Sequence, residues 1–395
     1  GDGDADLVLG IAGQNRLYVN SGSGAFTDLT AGRLPAINDN TRSIALGDID
    51  GDGDFDLIVG NHNQQARLLQ NNGLGTFADI TATNLPVLSG PVPSVAFGDV
   101  DGDLDLDLVV GIYYQQSRLL LNNGSGTFVD ATATNMPGGI DLSYAVALGD
   151  VDGDGDLDLV VGNYYYGGAQ NRLLLNNGSG AFTDVTGSNM PGVLDPTFAI
   201  ALGDVDGDGD LDLVAGNYYY YGSRNRLLLN NGGGTFSDVT AAAMPPVEDA
   251  TYAVALTDVD GDGDPDLVVG NGGEDALYLN LHAQIHTPFV LRPGHPFEIV
   301  SYVRNSPIGA VDAALPFLSL TRVSIPVPPW GTLGATPDAP LGFFPIPQAT
   351  GFASFTWNVP NIPAFAGLQV YAQALIVRST GGGQLTNLGC DEMMR

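Results

Sequence analysis

The chain has 395 residues, with 45 Asp or Glu against 13 Lys or Arg, for a formal charge of −32. All 13 cations are arginine. This balance excludes binding to nucleic acid by charge attraction and disfavours a bare anionic membrane. With 44% hydrophobic residues, however, the chain builds cores and is not a disordered acidic tail.

The charge is uneven. Residues 1–282 carry 40 acidic residues and 8 Arg, whereas 283–395 carry 5 of each, which predicts two domains with that boundary. No apolar run approaches the roughly 20 residues that span a bilayer. Gly1-Asp2-Gly3 does not read as a signal peptide. The single cysteine, Cys390, forbids an intrachain disulfide.

Taken along the chain, one string dominates. DVDGDGDLDLVVGN at 150–163 recurs with small changes from 48, 99, 204 and 258, and residues 1–10 are the tail of a sixth copy. The period is 50 to 54 residues. Each period predicts four short strands: A (Tyr144 to Leu148 in the fourth copy), B (Asp158 to Val161), C (Arg172 to Leu175) and D (Ala181 to Thr186). The Asp-rich loop joins A to B, and an Asn-Asn-Gly turn joins C to D. Four strands at this period predict an all-β fold, a β-propeller of six or seven blades; a parallel β-helix is the alternative, with shorter repeats expected.

An Asp-rich loop, a strand and Gly-Asn, repeated over 1–282, resemble the FG-GAP/VCBS repeat of integrin α-subunit propellers and certain fungal lectins. The resemblance implies calcium in the loops and a role in adhesion or ligand recognition.

The loop chemistry points the same way. Asp150, Asp152, Asp154 and Asp158 fall at positions 1, 3, 5 and 9, with Gly155 at position 6. Alternate carboxylates on a tight loop converge on one point, and calcium takes six to eight oxygens. Position 7, Asp156, would by the resemblance offer its backbone carbonyl and turn its carboxylate outward. The corresponding sets are Asp48, Asp50, Asp52, Asp54 and Asp56; Asp99, Asp101, Asp103, Asp105 and Asp107; Asp204, Asp206, Asp208, Asp210 and Asp212; and Asp258, Asp260, Asp262, Asp264 and Asp266. Asp-Gly pairs also form turns on their own, but five Asp in nine residues would repel one another with nothing to offset them. Magnesium resists such a wholly protein-built cage. Leu104 replaces the position-6 Gly in the third copy, and the first retains only Asp2, Asp4 and Asp6. About five Ca²⁺ sites are expected, with a sixth only if the first loop is completed. Affinities of about 0.1–1 mM would suit extracellular calcium, so secretion or a cell-surface location is expected.

All length variation lies between B and C, where the loops hold Tyr113, Tyr114, Tyr164, Tyr165, Tyr166, Tyr218, Tyr219, Tyr220 and Tyr221. Variable loops on one face of a repeat protein often bind. Tyr suits sugars or protein interfaces, and packing of alternate tyrosines between blades is the other reading. Arg16, Arg67, Arg118, Arg172 and Arg226 each precede by 12 residues Asp28, Asp79, Asp130, Asp184 and Asp238, as cross-strand C–D ion pairs would require. The sixth copy has Ala276 and no following strand-D Asp.

The first blade lacks strand A and the sixth lacks a recognisable strand D. Residues 283–291 are a candidate outer strand, and upstream sequence or a neighbouring subunit could supply the inner one. Residues 283–395 alternate without a helical period and predict an Ig-like β-sandwich; WNVPNIPAFAGLQVYAQALIV at 357–377 resembles a C-terminal domain of secreted bacterial proteins. His282, His286 and His295 read as linker residues in preference to a zinc site.

No nucleophile–base set or phosphate-binding loop is evident. The sequence therefore reads as a non-enzymatic, secreted, calcium-stabilised adhesion or assembly protein. Other extracellular proteins, copies of itself or glycans are the expected partners. A lectin using the Tyr loops is the alternative, and a polysaccharide-active enzyme a more distant one.

Overall fold

The computed structural model describes residues 3–280 apart from 140, 220–222, 261 and 262; beyond 280 it describes the backbone strands alone. The chain divides into two compact units, Gly1–Thr257 with Leu267–Tyr278, and Asp258–Asp266 with Leu279–Arg395. Among the described residues, no helix is long and apolar enough to cross a membrane.

The repeats form a six-blade β-propeller arrangement of antiparallel sheets. The first blade has β1 (Leu7–Leu9), β3 (Arg16–Asn20) and β4 (Phe26–Asp28), with β2 (Ala12–Gly13) in the loop between β1 and β3. The second is β5 (Asp39–Gly47), β6 (Asp56–Asn61), β7 (Arg67–Asn71) and β8 (Phe77–Asp79). The third is β9 (Ser94–Gly98), β10 (Asp107–Gly111), β12 (Arg118–Asn122) and β13 (Phe128–Asp130), with β11 (Tyr113–Gln115) in its B–C loop. The fourth is β14 (Asp141–Gly149), β15 (Asp158–Asn163), β16 (Arg172–Leu175) and β17 (Thr183–Asp184). The fifth is β18 (Thr197–Gly203), β19 (Asp212–Asn217), β20 (Arg226–Asn230) and β21 (Phe236–Asp238). The sixth has β22 (Thr251–Thr257), β23 (Asp266–Asn271) and β24 (Ala276–Tyr278).

Strand B is buried on both faces in blades two to five, which is why it reads as an unbroken Leu-Val-Val run and not as an alternation. Its residues divide between neighbours. Leu159 and Val161 pack with Val109 and Leu119 of the blade before. Val160 packs with Leu213 and Leu228 of the blade after.

Two glycines of the repeat are required by this packing. A Cβ on Gly60 would lie 2.8 Å from the Val92 carbonyl of the next blade, and one on Gly216 would lie 2.8 Å from Thr251 Cγ2. A Cβ on Gly149, at the foot of strand A, would meet Leu211 Cδ1 at 2.8 Å. Without a side chain, the next sheet can approach to contact.

Strand D is followed by a single helical turn that the alternating pattern did not announce: α1 (Thr30–Arg33), α2 (Thr81–Asn84), α3 (Thr132–Asn135), α4 (Thr186–Asn189) and α5 (Thr240–Ala243). Its first residue is a buried Thr. Thr132 Oγ1 accepts the Leu119 N–H at 3.0 Å, and the Thr132 N–H donates to Asp130 Oδ1 at 3.0 Å. Its last residue reaches the following blade, where Asn84, Asn135 and Asn189 Nδ2 donate to the carbonyls of Gly126, Gly180 and Gly234. In α5 that position is Ala243, and among the described residues the sixth blade has no C–D turn to receive such a bond.

The two terminal blades each keep one apolar face exposed. Leu7 is 42% exposed and Leu277 is 49% exposed, whereas their equivalents within the array are buried. Of the candidate outer strand at 283–291, the described part, Ile285–His286, pairs with Pro296–Tyr302 and not with the sheet of the sixth blade. Pro296–Tyr302 pairs in turn with Phe352–Asn358, and Asp312–Ser319 with Gln369–Arg378, all antiparallel. The layer packing of the expected sandwich lies outside the described residues.

Gly60→Ala should lower stability by about 1–3 kcal/mol through overpacking. Gly187→Ala, in α4 with open space around the added methyl, should raise it by up to about 1 kcal/mol. Chemical denaturation of the two variants checks the pair; equal effects would refute the packing argument.

Candidate metal centres and the tyrosine face

Each Asp-rich loop is built around its first residue. Asp48 Oδ1 accepts the Gly51 N–H at 2.9 Å, and Oδ2 accepts the Gly53 N–H at 3.0 Å. The position-9 Asp closes the loop from below: Asp56 Oδ2 accepts the Ile49 N–H, and Oδ1 accepts the Asn71 N–H of strand C at 2.7 Å. The same bonds recur at Asp107, Asp158 and Asp212.

These bonds bring one carboxylate oxygen from positions 1, 3 and 9 within 4.8 Å of one another in five loops. The groups are Asp48, Asp50, Asp56; Asp99, Asp101, Asp107; Asp150, Asp152, Asp158; Asp204, Asp206, Asp212; and Asp258, Asp260, Asp266. Position 5, expected to converge with them, is outside these groups. There Asp52, Asp103, Asp154 and Asp208 each accept the N–H two residues on. Position 7 turns away to the C–D turn, where Asp54, Asp105, Asp156 and Asp210 lie beside Gly73, Gly124, Gly178 and Gly232. Asp4 and Asp6 of the first loop take the places of positions 7 and 9, beside Gly22 and bonded to the Asn20 N–H. Asp2 and Asp262 lie outside the described residues.

The clusters suit a cation on their own terms. Asp101 Oδ1 is buried with no hydrogen-bond partner. Burial, followed by the charges of the neighbouring loop carboxylates, raises the Asp101 and Asp152 carboxyls. At Asp56, Asp107, Asp158 and Asp212 burial pushes the carboxyl up to about 6, against the lowering effect of the two N–H bonds each accepts. A positive charge here would offset both effects.

Leu104 occupies position 6 with φ +74°, a left-handed conformation that Gly53, Gly155, Gly209 and Gly263 share. Its side chain is 90% exposed, so no packing offsets the strain.

The expected C–D ion pairs all form, from 2.9 Å at Arg118–Asp130 to 3.4 Å at Arg16–Asp28. A second carboxylate at the start of strand A joins three of them: Asp39 with Arg67 and Asp141 with Arg172, both at 2.5 Å, and Asp195 with Arg226 at 2.8 Å. The constant 12-residue spacing gives no sign of this partner, which lies 28 to 31 residues earlier, at or just before strand A of the same blade. The third blade has Gly90 at that place, and Arg118 Nε is buried without a hydrogen-bond partner.

The B–C loops do not project freely. β2 pairs with β5 and β11 with β14, while Ala169 bridges Asp195 and Ser223 bridges Asp249, so these loops bind the next blade's inner strand. Tyr113, Tyr164 and Tyr218 pack with inner-strand aromatics. Tyr114, Tyr165 and Tyr166 are exposed, and Tyr219 stacks near Tyr166 at 5.1 Å. Tyr220 and Tyr221 lie outside the described residues.

The repeat profile described as "FG-GAP-like repeat" matches residues 1–59, 48–110, 101–161, 159–215 and 204–269. The chain belongs to the FG-GAP-like repeat family. Cartilage acidic protein 1 of Xenopus tropicalis is 30% identical over 163 residues, covering 38% of this chain and 25% of that protein. The Homo sapiens protein is 30% identical over 171 residues, covering 38% and 24%. The matched stretch thus spans about a quarter of these relatives. Among solved structures, Saccharomyces cerevisiae Sqt1 aligns at TM-score 0.40 and 9% identity over 95% of this chain and 90% of that one.

Two outcomes are expected of this FG-GAP array. Leu104→Gly should stabilise the protein by about 1–2 kcal/mol by relieving the left-handed strain, read from thermal melts. In metal-free protein, the position-9 carboxyls bind protons more tightly folded than unfolded. Stability should therefore fall as pH rises from about 4 to about 6 and stay low above that. Melting temperatures in chelator across pH 4–8 check the sign; a rise over that window would contradict it.

Proposed function

We propose that the FG-GAP array is a calcium-stabilised, non-catalytic scaffold for adhesion or assembly outside the cell. The observation that carries this reading is the fivefold recurrence of a three-carboxylate group pinned by backbone N–H donors. An all-oxygen donor set suits a hard cation, and a cage built wholly from protein groups favours calcium over magnesium. The residues that would hold it are those at positions 1, 3 and 9, with loop carbonyls as the natural additional oxygens. A bound cation would neutralise the mutual repulsion of the loop carboxylates and lock the A–B connection of each blade.

Location follows from the same chemistry. Sites of roughly 0.1–1 mM affinity fill in extracellular fluid and stay empty in a cytosol. The partners proposed are other extracellular proteins or further copies of the chain, with the near-neutral C-terminal region of five acidic residues and five Arg as a second docking element.

Calcium at tenfold above Kd contributes about 1.4 kcal/mol per site, so chelator should lower the melting temperature by on the order of 10–20 °C. Calcium should restore it, and magnesium at equal concentration should not. Asp152→Asn should remove one site from the calcorimetric stoichiometry. An unchanged melting curve in EDTA would overturn the proposal.

A further inference from the structure

The inner strands carry a device that the repeat packing does not need. In β5, β14 and β18 the pairing with strand B slips by one residue between Thr41 and Ser43, Ser143 and Ala145, and Thr197 and Ala199. The residues at the slip are Arg42, Tyr144 and Phe198, and Tyr252 holds the corresponding place in β22. A bulge re-aims one side chain of a strand, and these re-aim the same position in the second, fourth and fifth blades.

That row meets a second one, from the residue just past strand B. Tyr144 lies 5.2 Å from Tyr113 and 5.0 Å from Tyr164, and Phe198 lies 5.3 Å from Tyr164 and 5.1 Å from Tyr218. Tyr144 and Phe198 are 4.1 Å apart, and Tyr218 and Tyr252 are 4.8 Å apart. Four blades thus contribute to one continuous aromatic band. Beside Tyr113, Tyr114 is held at φ +64°, a strained conformation for a non-glycine residue.

The band does not behave as a core. Tyr252 is 48% exposed, and the row's member in the second blade is an exposed arginine. The strand-C arginines are each ion-paired, whereas Arg42 has no ion pair among the described residues. It stands on the inner strand at the same repeat position as Tyr144 and Phe198. In a chain of charge −32, a cation left without a carboxylate beside a row of rings is an opening for an anionic group.

We propose that this band is a binding site for an acidic glycan, with sugar rings lying along Tyr144, Tyr164, Tyr218 and Tyr252 and a carboxylate received by Arg42. Ring faces take the C–H surfaces of sugars, phenol hydroxyls bond their hydroxyls, and a guanidinium matches a carboxylate fork.

The test uses the full chain in calcium. Hyaluronan, alginate and polysialic acid oligosaccharides are titrated calorimetrically, with maltohexaose and chitohexaose as neutral controls. At least one acidic oligosaccharide should bind, more weakly at higher salt. Arg42→Gln should weaken that binding by about tenfold or more, the scale of a lost charge-assisted pair. Tyr252→Ala, also at an exposed position, should weaken it without altering the melting temperature. Saturable binding of the neutral sugars at equal affinity would overturn the acidic assignment. So would unchanged binding in Arg42→Gln, or no binding to a protein that still shows its calcium-dependent melting.

Discussion

The carboxylate at the foot of strand B is the constraint on which each blade depends. Asp107, Asp158 and Asp212 are fully buried, and one oxygen holds the second residue of the Asp-rich loop while the other holds the end of strand C. Three segments that are distant in sequence are therefore tied to one side chain. A buried carboxylate is costly unless hydrogen-bonded and compensated in charge. Two N–H donors satisfy the first condition. Burial itself raises these carboxyls to about 6, and the neighbouring position-3 and position-5 carboxylates add to the rise. A cation in the loop would therefore act on the same side chain that holds the blade together.

The same economy governs the contacts between blades. Strand B presents alternate residues to the blades on either side, so one strand contributes to two cores. That leaves no solvent face on which an alternating pattern could survive. It also requires Gly60, Gly111, Gly162 and Gly216 to lack a side chain where the next inner strand crosses. The Asn that ends three of the helical turns and the C–D glycine whose carbonyl receives its bond form a second seam between blades. Leu7 and Leu277 show what an unmatched half of this interface looks like: apolar side chains of the repeat, exposed.

Much of this was legible in the sequence because the repeat varies so little. Six imperfect copies fixed the strand order, and the constant 12-residue spacing from strand-C Arg to strand-D Asp revealed the C–D ion pairs. What escaped notice depends on contacts that the repeat pattern does not mark. Asp39 and Asp141 open strand A and Asp195 lies just before it, and only the fold places them against Arg67, Arg172 and Arg226 of strand C. The helical turns after strand D escaped because four residues are too few for a 3.6 period to register. Position 5 of the loops was expected beside positions 1, 3 and 9 from alternation alone, but its carboxylate instead caps the backbone two residues on. The spacing of carboxylates shows that a loop can curl round an ion without showing which oxygens complete the curl.

The two ends of each sheet carry opposite kinds of chemistry, and the sheet explains why. In an antiparallel blade the A–B and B–C connections emerge at opposite ends. At the A–B end the repeat is nearly invariant, since a curled loop of carboxylates tolerates few substitutions, and Leu104 marks the strain of one. At the B–C end the loop is fixed only at its base, by pairing with the next inner strand. Length and side chains there can change without disturbing the buried carboxylate at the far end. Arg42, Tyr144, Phe198 and Tyr252 occupy one position of strand A yet differ in chemistry, as the B–C loops beside them do. Such freedom, next to a framework this constrained, is what allows a repeated scaffold to acquire a recognition surface without losing its fold.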